Sequence, residues 1–187
     1  MTANIITEKY LLFKARNKDP EAYSKIYDLY VDKIYRFVFF KVNSKEDAQD
    51  LTSEVFLKTW QYIISGKDIN NLNAYLYKVA RNLVIDHYRK SVQKDVSLDA
   101  LDQSGENLQI DVKSAIQSQE ILEDKIQMEK IQDKLQDLKN EYREIIILRY
   151  VDGLSITEIA EIVEKKKGAV RVILYRAINA LRELMGE

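Results

Sequence analysis

The chain has 187 residues, of which 46% are hydrophobic and 32% charged, with a formal net charge of −1. This length allows one or two small globular domains, and the absence of cysteine excludes disulfide bonds and thiolate catalysis. No uncharged apolar run is long enough to cross a bilayer, and the N-terminal segment carries charge too early for a secretory signal. We therefore expect a cytoplasmic protein without membrane insertion.

Glycine and proline are rare, with five and one residues, and each falls where a helix is expected to start, stop or be interrupted. We therefore predict an all-α fold of two small helical domains, residues 1–92 and 125–187. In residues 91–125 apolar side chains no longer recur at helical spacing, and eight acidic side chains stand against three basic ones. A flexible acidic linker, residues 93–124, is predicted to join the domains.

Four helices are predicted for the first domain, beginning near residues 1, 20, 44 and 72. Asp19 and Pro20 are typical of a helix start, and Ser44 is a second N-cap candidate. Apolar residues then recur at helical spacing in each segment. In the second domain, helices are predicted near residues 121–138, 141–150, 155–163 and 167–185.

The last two of these helices have the pattern of a helix-turn-helix. Ser155 and Glu158 have the spacing of a capping box. The following helix has one apolar face, and between Lys165 and Arg182 there are six basic residues and no acidic one. Such a concentration of cations predicts contact with DNA phosphates, although a charged helix face is often merely solvated.

Two residues bear on the geometry of this motif. Helix-turn-helix segments often carry glycine at the turn, whereas this chain has Glu164. A left-handed conformation there would cost roughly 1 kcal/mol. Gly168 lies in the first turn of the following helix, where the absence of a side chain allows a close approach to a phosphate or to a neighbouring chain.

Five segments resemble the extracytoplasmic-function sigma factors of bacterial RNA polymerase, a subfamily of the sigma-70 family. DPEAYSKIYDLYVDKIYRFVFFKV (19–42), EDAQDLTSEVFLKTW (46–60) and NLNAYLYKVARNLVIDHYRK (71–90) are similar to the family's second conserved region. YREIIILRYVDGLSITEIAEIV (142–163) and KKKGAVRVILYRAINALR (165–182) are similar to its fourth. The resemblance implies a non-catalytic subunit that binds core polymerase and recognises promoter DNA.

The resemblance also assigns roles to residues. It places core-polymerase binding on Asp50, Leu51, Thr52, Glu54 and Phe56, with exposed carboxylates and an apolar contact from Phe56. It places the single-stranded minus-ten element against Tyr75, Lys78, Asn82, Asp86 and Arg89. It places the duplex minus-thirty-five element against Lys166, Lys167, Arg171, Val172, Tyr175 and Arg176.

Three further expectations follow from the resemblance. The loop from Gly66 to Asn71 matches the family loop that holds one flipped-out base. Ser53 stands where the family usually has Gln, so one polar contact to polymerase differs. An anti-sigma protein is a further partner that the resemblance allows.

Three other interpretations compete with this one, and the third, a polymerase-binding relative that has lost promoter activity, is disfavoured by the intact basic face of the last helix. A stand-alone helix-turn-helix regulator of transcription is the first, but the N-terminal half lacks the alternating strands of a receiver or ligand domain. An enzyme is the second. A carboxylate metal site could be formed by Asp47, Asp50 and Glu54, which lie on one predicted helix. No second acidic cluster or histidine pair completes such a site, because His87 is the single histidine. We therefore expect no catalytic residues, no metal and no cofactor.

Overall fold

The computed structural model describes residues 2–42, 44–97 and 135–185, and side-chain surroundings within 7–42, 44–90 and 135–185. Every regular element in these ranges is a helix, which confirms the predicted all-α class of two small helical domains. The predicted linker begins inside a helix, because the fourth helix continues to Ser97. The rest of the linker and the helix predicted near residues 121–138, up to residue 134, lie outside the described residues, so the domain boundaries stay a prediction.

Seven α-helices are described. The N-terminal domain contains α1 (Thr2–Arg16), α2 (Pro20–Phe39), α3 (Lys45–Ile64) and α4 (Leu72–Ser97). The C-terminal domain contains α5 (Asn140–Ile146), which continues as a π-helical segment (Ile147–Val151), then α6 (Ile156–Ile162) and α7 (Lys167–Met185). None of the described helices is long and apolar enough to cross a membrane.

Side chains cap the helices where the sequence indicated. The Asp19 carboxylate accepts hydrogen bonds from the backbone N–H groups of Glu21 and Ala22, at 3.0 and 3.2 Å. Ser44 Oγ accepts one from the N–H of Asp47 at 3.0 Å. Each bond satisfies a donor that has no partner within its helix. The predicted starts of α2 and α3 are therefore confirmed.

The core of the N-terminal domain lies between α2, α3 and α4, with α1 packed on α2 and α3. Phe37 of α2 and Tyr77 of α4 are fully buried, and their rings meet edge to face at 5.2 Å between centroids. Tyr88 packs on this core and donates a hydrogen bond to the carbonyl of Lys41 at 2.7 Å. Tyr77 and Tyr88 of α4 therefore serve packing.

In the C-terminal domain, α7 packs across α5 and α6 and buries Val170 and Ala177. The two domains touch, because α4 of the N-terminal domain also contacts α6. The helix-turn-helix is thus held on one side by the N-terminal domain, and α7 presents its other side outward.

Candidate nucleic-acid and polymerase interfaces

The helix-turn-helix has the local geometry that its sequence predicts. Glu158 N–H donates to Ser155 Oγ at 3.3 Å, and Ser155 N–H donates to Glu158 Oε2 at 2.8 Å, which completes the capping box. Glu164 ends α6 with φ of 55°. The left-handed turn is therefore present without glycine, at a cost of roughly 1 kcal/mol. This turn directs α7 away from α6.

All six residues predicted for the minus-thirty-five duplex are exposed on α7 or immediately before it. Tyr175 is 68% exposed and Val172 50%, which is unusual for large apolar side chains unless a partner covers them. Four of the six are cations, and none of these has an ion pair with another described residue. The four are Lys166, Lys167, Arg171 and Arg176.

The residues predicted for the minus-ten strand follow one face of α4. Asn82 and Arg89 are exposed, and Arg89 pairs with Asp86 at 3.1 Å one turn away. The Tyr75 ring lies 4.8 Å from the ring of Tyr62, at an angle of 34°. Partial burial raises the pKa of the Tyr75 hydroxyl, which keeps it a neutral donor. The face therefore offers an aromatic surface at one end and charged or polar groups towards the other.

A cavity of about 260 Å³ lies beside the loop that joins α3 to α4. Leu12, Ile63 and Ile69 are apolar members of its lining, and the Phe13 ring is 64% exposed at the site. Arg16 of α1 hydrogen-bonds both the carbonyl of Lys67 and the carboxylate of Asp68. The first helix, to which the sequence assigned no purpose, therefore lines this cavity and anchors the loop. The remaining lining residues are Lys9 and Asn70.

The residues predicted to bind core polymerase divide between two faces of α3. Asp50 and Glu54 are exposed, as expected for docking carboxylates. Phe56 is only 3% exposed, and its ring packs 4.7 Å from that of Tyr27. The helix thus turns the Phe56 ring into the core in this conformation, and the apolar contact of that ring with polymerase stays a prediction.

Leu51 and Thr52 are also buried, at 8% and 4% exposure, and Thr52 donates to the Ala48 carbonyl at 2.6 Å. In this conformation their side chains pack within the domain, and their contact with polymerase stays a prediction. Leu57 is 56% exposed and was missed, although its position three residues beyond Glu54 indicates the same face. Ser53, also exposed, donates to the Gln49 carbonyl at 2.9 Å.

Oppositely charged side chains join the two domains. Lys41 Nζ lies 2.9 Å from Glu144 Oε1, and Arg81 Nε lies 3.0 Å from the same oxygen. Lys41 is 1% exposed and Glu144 5%. Burial lowers the pKa of Lys41, and the attraction of Glu144 opposes that shift. These residues were not singled out from the sequence.

A second buried carboxylate lies nearby. Arg36 binds Asp152 Oδ1 through Nε and a terminal nitrogen, at 3.1 and 3.0 Å. The Asp152 side chain is fully buried. Burial raises the pKa of Asp152, against the opposing effect of Arg36. Burial, with Asp152 adjacent, also raises the pKa of the Tyr77 hydroxyl.

The rim of the interdomain contact is more exposed. Lys78 Nζ lies 3.3 Å from Glu164 Oε1, and Asn71 Nδ2 donates to Glu161 Oε2 at 2.9 Å. Lys78 is one of the predicted minus-ten residues, so the C-terminal domain already occupies part of that face.

The described residues contain no group of three or more His, Asp or Glu side chains arranged to hold an ion. His87 Nε2 lies 3.7 Å from Asp47 Oδ2 on the partly exposed surface between α3 and α4. The carboxylates of α3 are thus surface groups.

These features define a two-domain helical DNA-binding protein with a helix-turn-helix at its C-terminal end. Two family models match it, sigma-70 region 2 over residues 26–93 and sigma-70 region 4 over residues 128–181. The chain belongs to the extracytoplasmic-function sigma factors of the sigma-70 family. It is therefore a promoter-recognition factor of transcription initiation, and the alternative of a stand-alone regulator is not favoured.

Curated relatives agree with this assignment. Over 174 residues the chain is 31% identical to the sigma factor SigW of Bacillus subtilis, covering 91% of this chain and 92% of SigW. It is 30% identical to SigM of the same organism, covering 86% and 93% of the two chains. It is also 31% identical to BldN of Streptomyces coelicolor, covering 94% of this chain but only 64% of BldN.

Solved structures share the fold. CnrH, in complex with the cytosolic domain of CnrY, superposes with a TM-score of 0.72 at 16% identity, covering 96% of this chain and 97% of CnrH. RpoE of Bartonella quintana, in complex with the anti-sigma factor NepR, superposes with a TM-score of 0.65 at 22% identity. This match covers 87% of this chain and 96% of RpoE. At these identities the likeness concerns the fold alone.

Proposed function

We propose that this protein binds core RNA polymerase through α3 and directs it to promoters whose two elements are recognised by α4 and α7. The observation that carries the proposal is the exposed, cationic face of α7 on a capped helix-turn-helix. Arginine and lysine there would neutralise phosphates. Arg171, Val172 and Tyr175 have the position and chemistry to reach base edges and thymine methyl groups in the major groove.

The minus-ten role is assigned to the α4 face and the adjoining loop. Single-stranded DNA is bound by stacking of bases on rings while its backbone follows positive charge. The Tyr62–Tyr75 pair supplies rings, and Lys78 and Arg89 supply charge. The cavity beside the loop from Gly66 to Asn71 is large enough for one flipped-out base, with an apolar lining and polar groups around it.

The polymerase role is assigned to the exposed face of α3. Asp50 and Glu54 would meet basic side chains of the polymerase, which favours rapid and specific association. Leu57 replaces Phe56 as the apolar residue available for that contact. Leu51, Thr52 and Phe56 hold the helix that presents it.

We also propose that the protein acts in the cytoplasm, where its polymerase partner works, and that it has no enzymatic activity of its own. An anti-sigma protein is a further proposed partner, since the related folds of CnrH and RpoE were solved bound to CnrY and to the anti-sigma factor NepR.

Run-off transcription tests the proposal, with bacterial core polymerase, the purified protein and a fragmented genomic template. We expect discrete transcripts that core polymerase alone does not make. Arg171→Ala with Arg176→Ala should abolish most of them while polymerase binding persists, because those side chains face DNA. Lys25→Ala with Lys90→Ala removes the same charge outside the proposed contacts and is the matched control. Loss of polymerase binding in the arginine variant would contradict the assignment.

A further inference from the structure

The N-terminal helix α1 forms one wall of the cavity beside the loop that joins α3 to α4. Four of the nine lining residues belong to this helix, and the other five come from the end of α3 and from the loop. The four are Lys9, Leu12, Phe13 and Arg16. Their spacing of three, one and three residues places them on a single helix face. One face of α1 is therefore turned to the cavity along its length.

The opposite face of α1 holds the helix on the domain. Leu11 and Ala15 are buried, at 5% and 0% exposure. The Tyr30 hydroxyl of α2 donates a hydrogen bond to Glu8 Oε2 at 2.7 Å. These contacts fix the rotation of α1 about its axis, so the residues at the cavity are held in place before any ligand arrives. Such preorganisation lowers the entropy cost of binding.

Arg16 joins α1 to the opposite wall of the cavity. Its guanidinium donates to the carbonyl of Lys67 at 3.1 Å and also to the carboxylate of Asp68. A planar guanidinium presents several donors in a fixed arrangement, so two bonds to successive residues orient the loop as well as tether it. The separation between α1 and the loop, and hence the width of the cavity, depends on Arg16.

A series of contacts connects the cavity to the proposed minus-ten face of α4. The ring of Tyr75, a predicted minus-ten residue, lies 4.8 Å from the ring of Tyr62. Lys67 Nζ lies 5.2 Å from the centroid of that same Tyr62 ring, and Lys67 also lines the cavity. A single strand that stacks on the two tyrosines therefore meets Lys67 and the cavity next.

Phe13 and Lys9 are the exposed residues of α1 at this cavity. The Phe13 ring is 64% exposed and has no polar atom of its own, so a flat apolar surface that covers it is favoured. Stacking of an unpaired base on an aromatic ring is the main contact by which proteins hold single strands. Lys9 lies one helical turn before Phe13, within reach of the phosphate that accompanies such a base.

We propose that α1 is part of the single-strand site. Phe13 stacks on the flipped-out base in the cavity, Lys9 binds the phosphate next to that base, and Arg16 positions the loop that forms the opposite wall. Stacking on Phe13 offsets the loss of stacking within the strand. This inference rests on the proposed minus-ten role of α4 and its loop, and it extends that site to a helix for which the sequence predicted no role.

The test uses core polymerase bound to the full chain and a fluorescein-labelled single strand. The strand carries the non-template minus-ten element of a promoter that run-off transcription identifies, and each position in turn is replaced by an abasic site. We expect one position at which loss of the base weakens binding by roughly tenfold. Phe13→Ala should weaken binding of the intact strand equally. It should add little when that base is already absent, because base and ring lose the same contact.

Two substitutions at aromatic residues of α1 are controls. Tyr10→Ala removes a ring that is 55% exposed on the same helix but does not line the cavity, and it should bind as the natural chain does. Phe13→Tyr keeps a stacking ring and should also retain affinity. Since Phe13 is mostly exposed, its replacement should leave the thermal midpoint unchanged.

The two cations of α1 have separate readouts. Lys9→Ala should reduce the slope of log affinity against log salt by about 0.7, the value for one phosphate of a single strand. Lys14→Ala, at an exposed position outside the cavity, should not change the slope. Arg16→Ala should make binding less sensitive to the abasic position, because the loop is no longer oriented. Arg16→Lys keeps a donor for Asp68 and should restore most of that sensitivity.

The inference is overturned if the Phe13→Ala and abasic effects are additive, if Tyr10→Ala weakens binding as much as Phe13→Ala, or if no position is sensitive in the natural chain. Run-off transcription on the same proteins separates this from the proposed function. Transcripts from the natural chain, together with additive effects, would refute the role of α1 only. Absence of transcripts and of polymerase binding would refute the proposed function, and this inference with it.

Discussion

Single positions decide which side chains a partner can reach, and neighbouring residues of α3 differ sharply in this respect. Phe56 is 3% exposed and Leu57 is 56% exposed. An advance of one residue rotates the side chain by about 100° around a helix, so a motif that marks the segment does not by itself mark the exposed residue. The Phe56 carbonyl also accepts a hydrogen bond from the Tyr23 hydroxyl, which ties this turn of α3 to α2.

This difference gives a prediction for polymerase binding. Asp50→Ala with Leu57→Ala should weaken association with core polymerase by at least tenfold, because an exposed carboxylate and an exposed apolar group are both removed. The thermal midpoint should not change. Binding is measured by fluorescence anisotropy, and unchanged affinity would exclude this face of α3 from docking.

Phe56→Ala should behave differently. Removing a buried aromatic ring costs about 3–5 kcal/mol, so urea unfolding should begin at much lower concentration. Weaker polymerase binding in that variant would then follow from loss of the fold. A stable Phe56→Ala protein with impaired docking would show that the ring leaves the core on binding.

At the level of elements, the structure follows the sequence closely where the determinants are local. Asp19, Ser44 and Ser155 cap helices as their sequence contexts predict, since each bond joins atoms two or three residues apart. Glu164 adopts the left-handed turn although it is not glycine. α4 continues to Ser97, beyond the predicted start of the linker at residue 93, because the sequence between residues 90 and 97 has no proline or glycine to stop a helix.

Ser155→Ala tests how far the helix-turn-helix depends on its cap. The capping box satisfies two amides at the start of a helix of only seven residues. Removing the hydroxyl should cost about 1 kcal/mol, seen as a lower urea midpoint. Ser53→Ala, at an exposed position inside α3, should change the midpoint little. Equal effects of the two substitutions would mean that the cap is not a determinant of stability.

At the level of the whole molecule, sequence alone could not predict the contact between domains. Arg36 and Asp152 are 116 residues apart, and Lys41 and Glu144 are 103 apart. A single sequence gives no signal for pairing at such separations, because any of the chain's 29 cations matches any of its 30 acids. The family resemblance predicts DNA-binding roles for α4 and α7. It does not predict that side chains of the C-terminal domain, such as Glu164, contact α4.

The contact between the domains leaves the cationic face of α7 exposed, so duplex DNA binding should not depend on that contact. Duplex binding should be equal in the natural chain and in the Glu144→Gln, Asp152→Asn variant, because α7 is uncovered in both. The logarithm of the association constant for duplex DNA should fall linearly with the logarithm of the salt concentration. The expected slope is about −4 for four phosphate contacts. Arg171→Ala with Arg176→Ala should reduce that slope by about two. Tighter duplex binding in the Glu144→Gln, Asp152→Asn variant would show that the N-terminal domain also covers α7.

In each described ion pair between the domains the cation belongs to the N-terminal domain, and this order has a consequence during translation. The ribosome makes Arg36, Lys41, Lys78 and Arg81 well before the first of their partner carboxylates, Glu144, and the last of them is Glu164. An N-terminal domain that folds as it emerges thus displays its cations uncovered, next to the ribosome's own RNA. We expect the nascent chain to bind nucleic acid through these cations until the carboxylates of its second half are in place.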